Sequence, residues 1–224
     1  VGRYDYEYTF AYQSRSWIAA RPVVCYLSEQ HRQEAGSMLE ILTAIRSQSI
    51  DEYHHEEILK RKVKHNSTEG QIITRLYTHN ADVDAINTLE LAKLTTELRT
   101  YYMESSGSKA HIESLKSTVL AGEEITLKIG AKVIAVKNDM NKRYYNGSVG
   151  TVVKFDDIDD MPIVEFELKN GNIKEVKMDK EEWQLKIDDK VKASVKQIPL
   201  RLGWAITIHK SQGMTLTEAE IDLS

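Results

Sequence analysis

Near the end of this 224-residue chain, the apolar run Ala205-Ile206-Thr207-Ile208 gives way abruptly to His209, Lys210, Ser211, Gln212 and Gly213. An imidazole, an ammonium, an amide and the hydroxyls of Thr207 and Ser211 are thus gathered where a buried strand would end. Such groups hold phosphates, and in open α/β sheets ligands sit at the carboxyl ends of strands. Gly213 is read as letting the backbone approach closely. Three further clusters come after apolar runs in the same way: Gln30-His31-Arg32-Gln33 after residues 22–27, Thr78-His79-Asn80 after 72–77, and Lys137-Asn138-Asp139 after 131–136. If the four share one sheet edge, they line one groove.

Each cluster also has a plainer reading. Thr78 or Asn80 would serve as a helix cap, Arg32 as a surface ion-pair partner, His209 as a satisfied buried histidine, and Asn138 as a turn residue. His54-His55 beside Glu56-Glu57 suggests a metal at first sight. Adjacent residues diverge on a helix, however, and no Cys or His recurs at ligand spacing, so no metal is expected. The run Asp156-Asp157-Ile158-Asp159-Asp160 lacks the glycine and distal glutamate of an EF-hand and reads as a solvated turn. Trp17, Trp183 and Trp204 have the surface to stack on bases, but are read first as core.

The elements that must position these groups are set by periodicity. Residues 22–27 (PVVCYL) and 72–77 (IITRLY) read as buried strands, with Cys25 in the core. Met38, Leu42 and Ile45 mark one face of a helix; Asp51 to Lys64 is a solvated helix or loop. From Asn80 a second helix carries Val83, Ile86, Leu91, Leu94 and Leu98 as its stripe, with Asp82 and Asp84 suiting its positive first turn. Ser105 to Lys109 reads as a Gly/Ser loop. Beyond Leu127 the period changes. Short runs at 131–136, 149–155, 163–168, 173–178 and 191–195, with turn signals at Asn146-Gly147, Asn170-Gly171 and 156–160, predict a small β-barrel of about five strands. Residues 199–208 then form one long apolar run, and another begins at Ile221. The fold expected is α/β, a parallel-sheet domain interrupted by a barrel.

Composition bounds the function. With 41% hydrophobic and 29% charged residues and a formal net charge of -4, the chain has a globular composition and is no basic nucleic-acid coat. A local basic groove remains compatible, since phosphates feel charges only within about 10 Å in salt. A single cysteine allows no internal disulfide and suggests a reducing, cytoplasmic compartment. No run approaches a membrane span, and a start without methionine suggests an excised piece of a longer protein. There is no G-x-x-x-x-G-K-[ST] loop and no acidic pair after an apolar strand to hold Mg²⁺, so this chain alone is expected to cradle no nucleoside triphosphate.

The order of four stretches carries a resemblance. FAYQSRSW (10–17) followed by LSEQHRQ (27–33), RLYTHNADVDAIN (75–87), LKIGAKVIAVKNDMNKRYYNGSVGTVV (127–153) and QIPLRLGWAITIHKSQGMTL (197–216) resemble the second half of a RecD-like superfamily 1 DNA helicase. The resemblance implies a second RecA-like domain (1–145 and 197–224) with an inserted Src-homology-three-like barrel (146–196). ATP and Mg²⁺ would be held with a first RecA-like domain of the same polypeptide, and movement on single-stranded DNA would be 5′ to 3′. By this resemblance Arg32 is an arginine finger, assisted by Gln33. Arg32, Gln212 and Gly213 face nucleotide. Thr78, His79, Asn80, Asn138, Thr207, His209, Lys210 and Ser211 grip single-stranded DNA, and the barrel is a possible protein-docking element. Two alternatives stay open: a vestigial single-strand-binding module, as in a conjugative relaxase, or an interaction scaffold built on the barrel.

Overall fold

Backbone N–H and C=O groups that leave water must find partners, and that requirement decides which apolar runs become strands. The computed structural model describes residues 10–26, 36–62, 73–167, 172–214, 216 and 219–221. The chain divides into two compact units, Val1–Ser67 and Thr68–Ser224.

In the first unit, α1 (Arg15–Ala20) is capped by Ser14, whose hydroxyl accepts from Trp17 N at 3.2 Å. Helices α2 (Ser37–Ser47) and α3 (Glu52–Lys60) pack together. The Tyr53 hydroxyl reaches Glu40 at 3.3 Å, and Arg61 donates to Ser37 Oγ at 2.9 Å. The buried face of α2 is Ile41 and Ala44, while Met38 and Ile45 are exposed, which corrects the expected Met38–Leu42–Ile45 stripe by about a quarter-turn of helix. Residues 22–26 are not a buried strand. Val23 and Tyr26 are each 89% exposed, and Cys25 is exposed rather than core. β-branched composition favours a strand only against a partner, and among the described residues no strand pairs with this segment.

The second unit begins with β1 (Thr74–Tyr77) and α4 (Asn80–Lys93). It continues through β2 (Leu98–Tyr102), β3 (Glu104–Gly107), α5 (Lys109–Lys116), β4 (Glu124–Lys128) and β5 (Lys132–Ala135). Then come β6 (Val149–Phe155), β7 (Pro162–Glu167), β8 (Ile173–Lys177), β9 (Glu181–Ile187) and β10 (Lys190–Gln197). It closes with β11 (Leu200–Leu202), β12 (Ala205–Thr207), α6 (Ile208–Ser211) and β13 (Ala219–Ile221). A parallel sheet in the order β12-β1-β13 is joined to antiparallel sheets ordered β11-β5-β6-β7-β8, β3-β10-β9 and β2-β4. The unit is thus the expected α/β fold with a parallel sheet. Helix α4 stops at Lys93, so Leu98, expected on its stripe, opens β2 instead. Glu104–Gly107 pairs with β10, so residues 105–107 of the Gly/Ser loop expected at 105–109 are strand, and Lys109 opens α5; the ladder outweighs the weak propensity of Ser and Gly. The five-stranded antiparallel sheet draws in β5 and β11, which flank residues 146–196.

The core runs through the joint between sheets. Leu127, Val133, Ile134, Val152, Val164, Phe166, Leu200 and Ile206 are fully shielded, each large side chain contributing about 1.5–3 kcal/mol. The run 199–208, expected to be one strand, is two. Pro199 to Leu202 serves the antiparallel sheet and Ala205 to Thr207 the parallel one. Gly203 makes the switch possible: a Cβ there would stand 2.8 Å from Ile134 Cγ1 and 3.0 Å from the Val133 carbonyl carbon. Gln197, wholly buried, donates to the carbonyls of Tyr101, Gly122 and Glu123 at 3.0–3.2 Å and accepts from Ile198 N at 2.9 Å.

Helix α4 binds β12 through an amide clamp. Asn87, on the same face as Val83 and Leu91, donates Nδ2 to Ala205 O at 2.9 Å and accepts Ala205 N on Oδ1 at 3.0 Å. The side chain thereby replaces a missing strand on the edge of β12. Asn87→Leu leaves both Ala205 groups buried and unmet, so we expect a loss of about 2–4 kcal/mol in stability, read as a lower denaturant midpoint. An unchanged midpoint would mean the edge is satisfied in another way.

Candidate nucleic-acid interface

Strands β1 and β12 run parallel with Tyr77 beside Thr207, so the residues just beyond each strand emerge at the same carboxyl edge. Thr78, His79 and Asn80 come after one; His209, Lys210 and Ser211 come after the other. Two of the four expected clusters are therefore neighbours. Thr78, His79, Asn80, His209, Gln212 and Gly213 are exposed, and Lys210 and Ser211 half-buried. Among the described residues no group of three or more His, Cys, Asp or Glu side chains is placed to hold a metal ion.

Several expected roles change in detail. Thr207 is buried, and its hydroxyl accepts from Lys210 N at 3.4 Å as the cap of α6. It shapes the turn rather than presenting an open hydroxyl. Ser211 Oγ donates to Ile208 O at 2.9 Å. Gly213 has φ +87, and a Cβ there would meet nothing within 4 Å. The glycine serves a left-handed turn that brings Met214 N onto Ser211 O at 3.0 Å. His79, not Thr78 or Asn80, occupies the N-cap of α4, with no side-chain cap bond. His209 is exposed, not a satisfied core histidine.

Asn138 does not share this edge. It lies just beyond β5, whose neighbour β11 runs antiparallel, so the carboxyl end of β5 lies beside Pro199 and Leu200 rather than beside Thr207. Its Oδ1 accepts from Asn146 N at 2.8 Å, closing the loop between β5 and β6. Asp139 stiffens the same loop. Its carboxylate takes Arg143 N and Nε on Oδ2 at 2.9 and 3.0 Å, and Nη2 on Oδ1 at 2.8 Å. These bonds hold Asp139 well below the usual carboxylate range, at about 2. Lys137 lies over the Trp183 ring, 4.9 Å from its centroid, and pairs with Glu181 at 2.9 Å. Trp204 is buried and Trp17 exposed. Arg32 and Gln33, with Gln30 and His31, lie outside the described residues.

Sequence reading passed over two residues. Asn87 was signalled by a polar residue inside the Val83–Leu91 stripe. Arg201 was signalled by a charge inside the run PLRLGWAI. Burial draws the Arg201 guanidinium down from its ordinary value, with the Asp84 charge opposing. Lys210 is lowered first by burial and then by the charge of Arg201, again with Asp84 opposing.

A parallel sheet with polar strand tips on one edge defines the class: a RecA-like α/β unit carrying antiparallel extensions. No family model matches the chain. Over 96% of its length the chain is similar to the ATP-dependent DNA helicase Pif1 of Psychrobacter sp. (strain PRwf-1), 34% identical and 40% covered. Among solved structures, Bacteroides sp Pif1 in complex with ADP-AlF4 matches 87% of the chain and 44% of its own, with TM-score 0.70 and 28% identity. Bacteroides Pif1 bound to ssDNA matches 86% of the chain and 44% of its own, with TM-score 0.53 and 28% identity. These homologues are superfamily 1 helicases, and the chain spans less than half the length of each.

Because the folded-state value of Asp139 lies below its ordinary 3.8, its pair with Arg143 stabilises the fold above about pH 4, and that contribution fades as pH falls through about 2. Relative to Asp139→Asn, wild type should gain about 1 kcal/mol at neutral pH, after discount for the water-exposed arginine end, and only a small remnant of that near pH 2. Denaturation curves at both pH values check this; a pH-independent difference would remove the pair as its source.

Proposed function

We propose that this chain is the second motor half of an ATP-dependent DNA helicase of superfamily 1, comprising RecA-like segments 1–145 and 197–224 and an inserted barrel at 146–196. The observation that carries the reading is the pairing of β1 with β12, which sets His79, Asn80, His209 and Lys210 side by side, in a unit similar to a helicase seen with ssDNA. Exposed donors along one edge suit a phosphate track, which positions a strand without reading its bases. Thr78 and Ser211 complete the track, and Asn138 is assigned a strand contact of its own, off this edge, in the β5–β6 loop. ATP and Mg²⁺ are assigned to a first RecA-like domain of the same polypeptide, because this sequence holds no phosphate loop. Arg32 then reaches the γ-phosphate from this side, with Gln33, Gln212 and Gly213 at the same cleft. The RecD-like architecture, the Src-homology-three-like form of the barrel, its docking of a protein and a reducing cytoplasmic setting belong to the same proposal. Among the described residues no helix is long and apolar enough to cross a membrane.

The parent polypeptide should hydrolyse ATP in a manner stimulated by single-stranded DNA. Arg32→Ala should lower turnover by about 10³-fold or more while nucleotide binding persists; retained turnover would take Arg32 out of the cleft. His209→Ala combined with Asn80→Ala should weaken binding of a labelled oligothymidine with ATP affinity unchanged. Full oligothymidine affinity in that variant would place the strand elsewhere.

A further inference from the structure

Residues 10–26 are built without a core of their own. They hold a helical turn at Ala11–Gln13 and helix α1, yet not one of them is buried. Trp17, Ile18, Val23, Val24 and Tyr26 all face water, and apolar surface gathered in this way marks a contact.

The chemistry of residues 22–26 says what kind of contact. As a strand, they place Val23 and Cys25 on one face and Val24 and Tyr26 on the other. Both faces are apolar, and both are open: Val23 and Tyr26 are 89% exposed, Val24 66%, and Cys25 is exposed as well. A strand on the surface of an antiparallel sheet alternates apolar and polar, whereas one that is apolar on both faces belongs inside a parallel sheet covered by helices on either side. A helix groove or a flat apolar surface would cover only one of the two faces. The backbone agrees, because among the described residues no N–H or C=O of 22–26 is hydrogen-bonded. A neighbouring strand can therefore be taken up on each side.

The chain also enters this segment as α/β units do. Arg21, left-handed at φ 44, ends α1 by donating its N–H to Ile18 O. Pro22 follows at once, and proline is tolerated as the first residue of a strand. Such short links join helix to strand in α/β units. Helix and strand thus lack the same cover, and that cover is an α/β domain. The chain spans 40% of the Psychrobacter helicase and 44% of the Bacteroides one, so relatives of this kind have the length for a further domain.

We propose that residues 22–26 form an interior strand in the parallel sheet of a preceding, nucleotide-holding domain of the same polypeptide, with α1 in the helical layer over that sheet. The proposal rests on the reading of this chain as a helicase half. It moves 22–26 out of the second RecA-like segment, so that the passage from one domain to the other lies between Tyr26 and Thr74.

The test uses the full-length parent at low concentration. Hydrogen exchange read by mass spectrometry should find the amides of Val23 to Tyr26 slowed by about 10³-fold or more relative to an unstructured chain, as in β1. Exchange at the unstructured rate would overturn the proposal. Tyr26→p-benzoylphenylalanine, activated by light, should cross-link to residues upstream of Val1. Cross-links to residues 68–224 would overturn the proposal, and so would cross-links between differently labelled copies of the parent, which make the segment a dimer contact. Val23→Asp and Val24→Asp address opposite faces, and each should lower the thermal midpoint of the parent. Tolerance of either one marks a surface strand and overturns the interior position. ATP turnover stimulated by oligothymidine reads the helicase half separately. Its absence in the wild-type parent would end that reading, while exchange and cross-linking still decide where the strand lies.

Discussion

The parallel ladder between β1 and β12 is the constraint on which the rest depends. Its register puts Tyr77 beside Thr207, so two segments more than a hundred residues apart deliver their polar ends to one place. A parallel pair cannot close by a tight turn, and everything from α4 to β11 lies in the connection between these strands. The antiparallel sheets therefore emerge from inside the parallel framework and share its core, with Ile134, Leu200 and Ile206 in one apolar cluster.

Holding that ladder in place requires care at its edge. The outer edge of β12 would leave the Ala205 N–H and C=O without partners, and the Asn87 amide fills both. A polar residue on the buried face of a helix is costly unless fully bonded; here it mimics a strand and anchors α4 directly behind the polar tips. Thr207 then turns the chain by capping α6, and Gly213 ends the turn with a backbone angle that other residues adopt only under strain. The rigid parts are thus spent on aiming His209 and Lys210, while their side chains remain available.

Much of the fold is legible in the sequence. The helix from Asn80 with acidic Asp82 in its first turn, the strands at 149–155 and 173–177, and the solvated turn at 156–160 all come from period and turn chemistry. The misreadings have a common origin. PVVCYL has a strand's composition but no ladder partner among the described residues; ESSG has a loop's composition and a ladder on β10. Pro199 to Ile208 looks continuous because both halves are buried, although they serve different sheets. Asn138 seemed equivalent to Asn80 because both come after apolar runs, yet one run joins the parallel sheet and the other the antiparallel one.

By itself, the sequence determined which side chains stand at the ends of apolar runs, that phosphate is the chemistry they suit, and that no phosphate loop lies within these residues. It did so because apolar period and turn residues are local properties. Only the tertiary structure decided which of those ends meet, that Thr207 is consumed as a cap, and that Arg201 buries its Nε and Nη1. Hydrogen-bond partners across a ladder and the depth at which a charge is stranded depend on residues far away in the chain, and no local pattern encodes them.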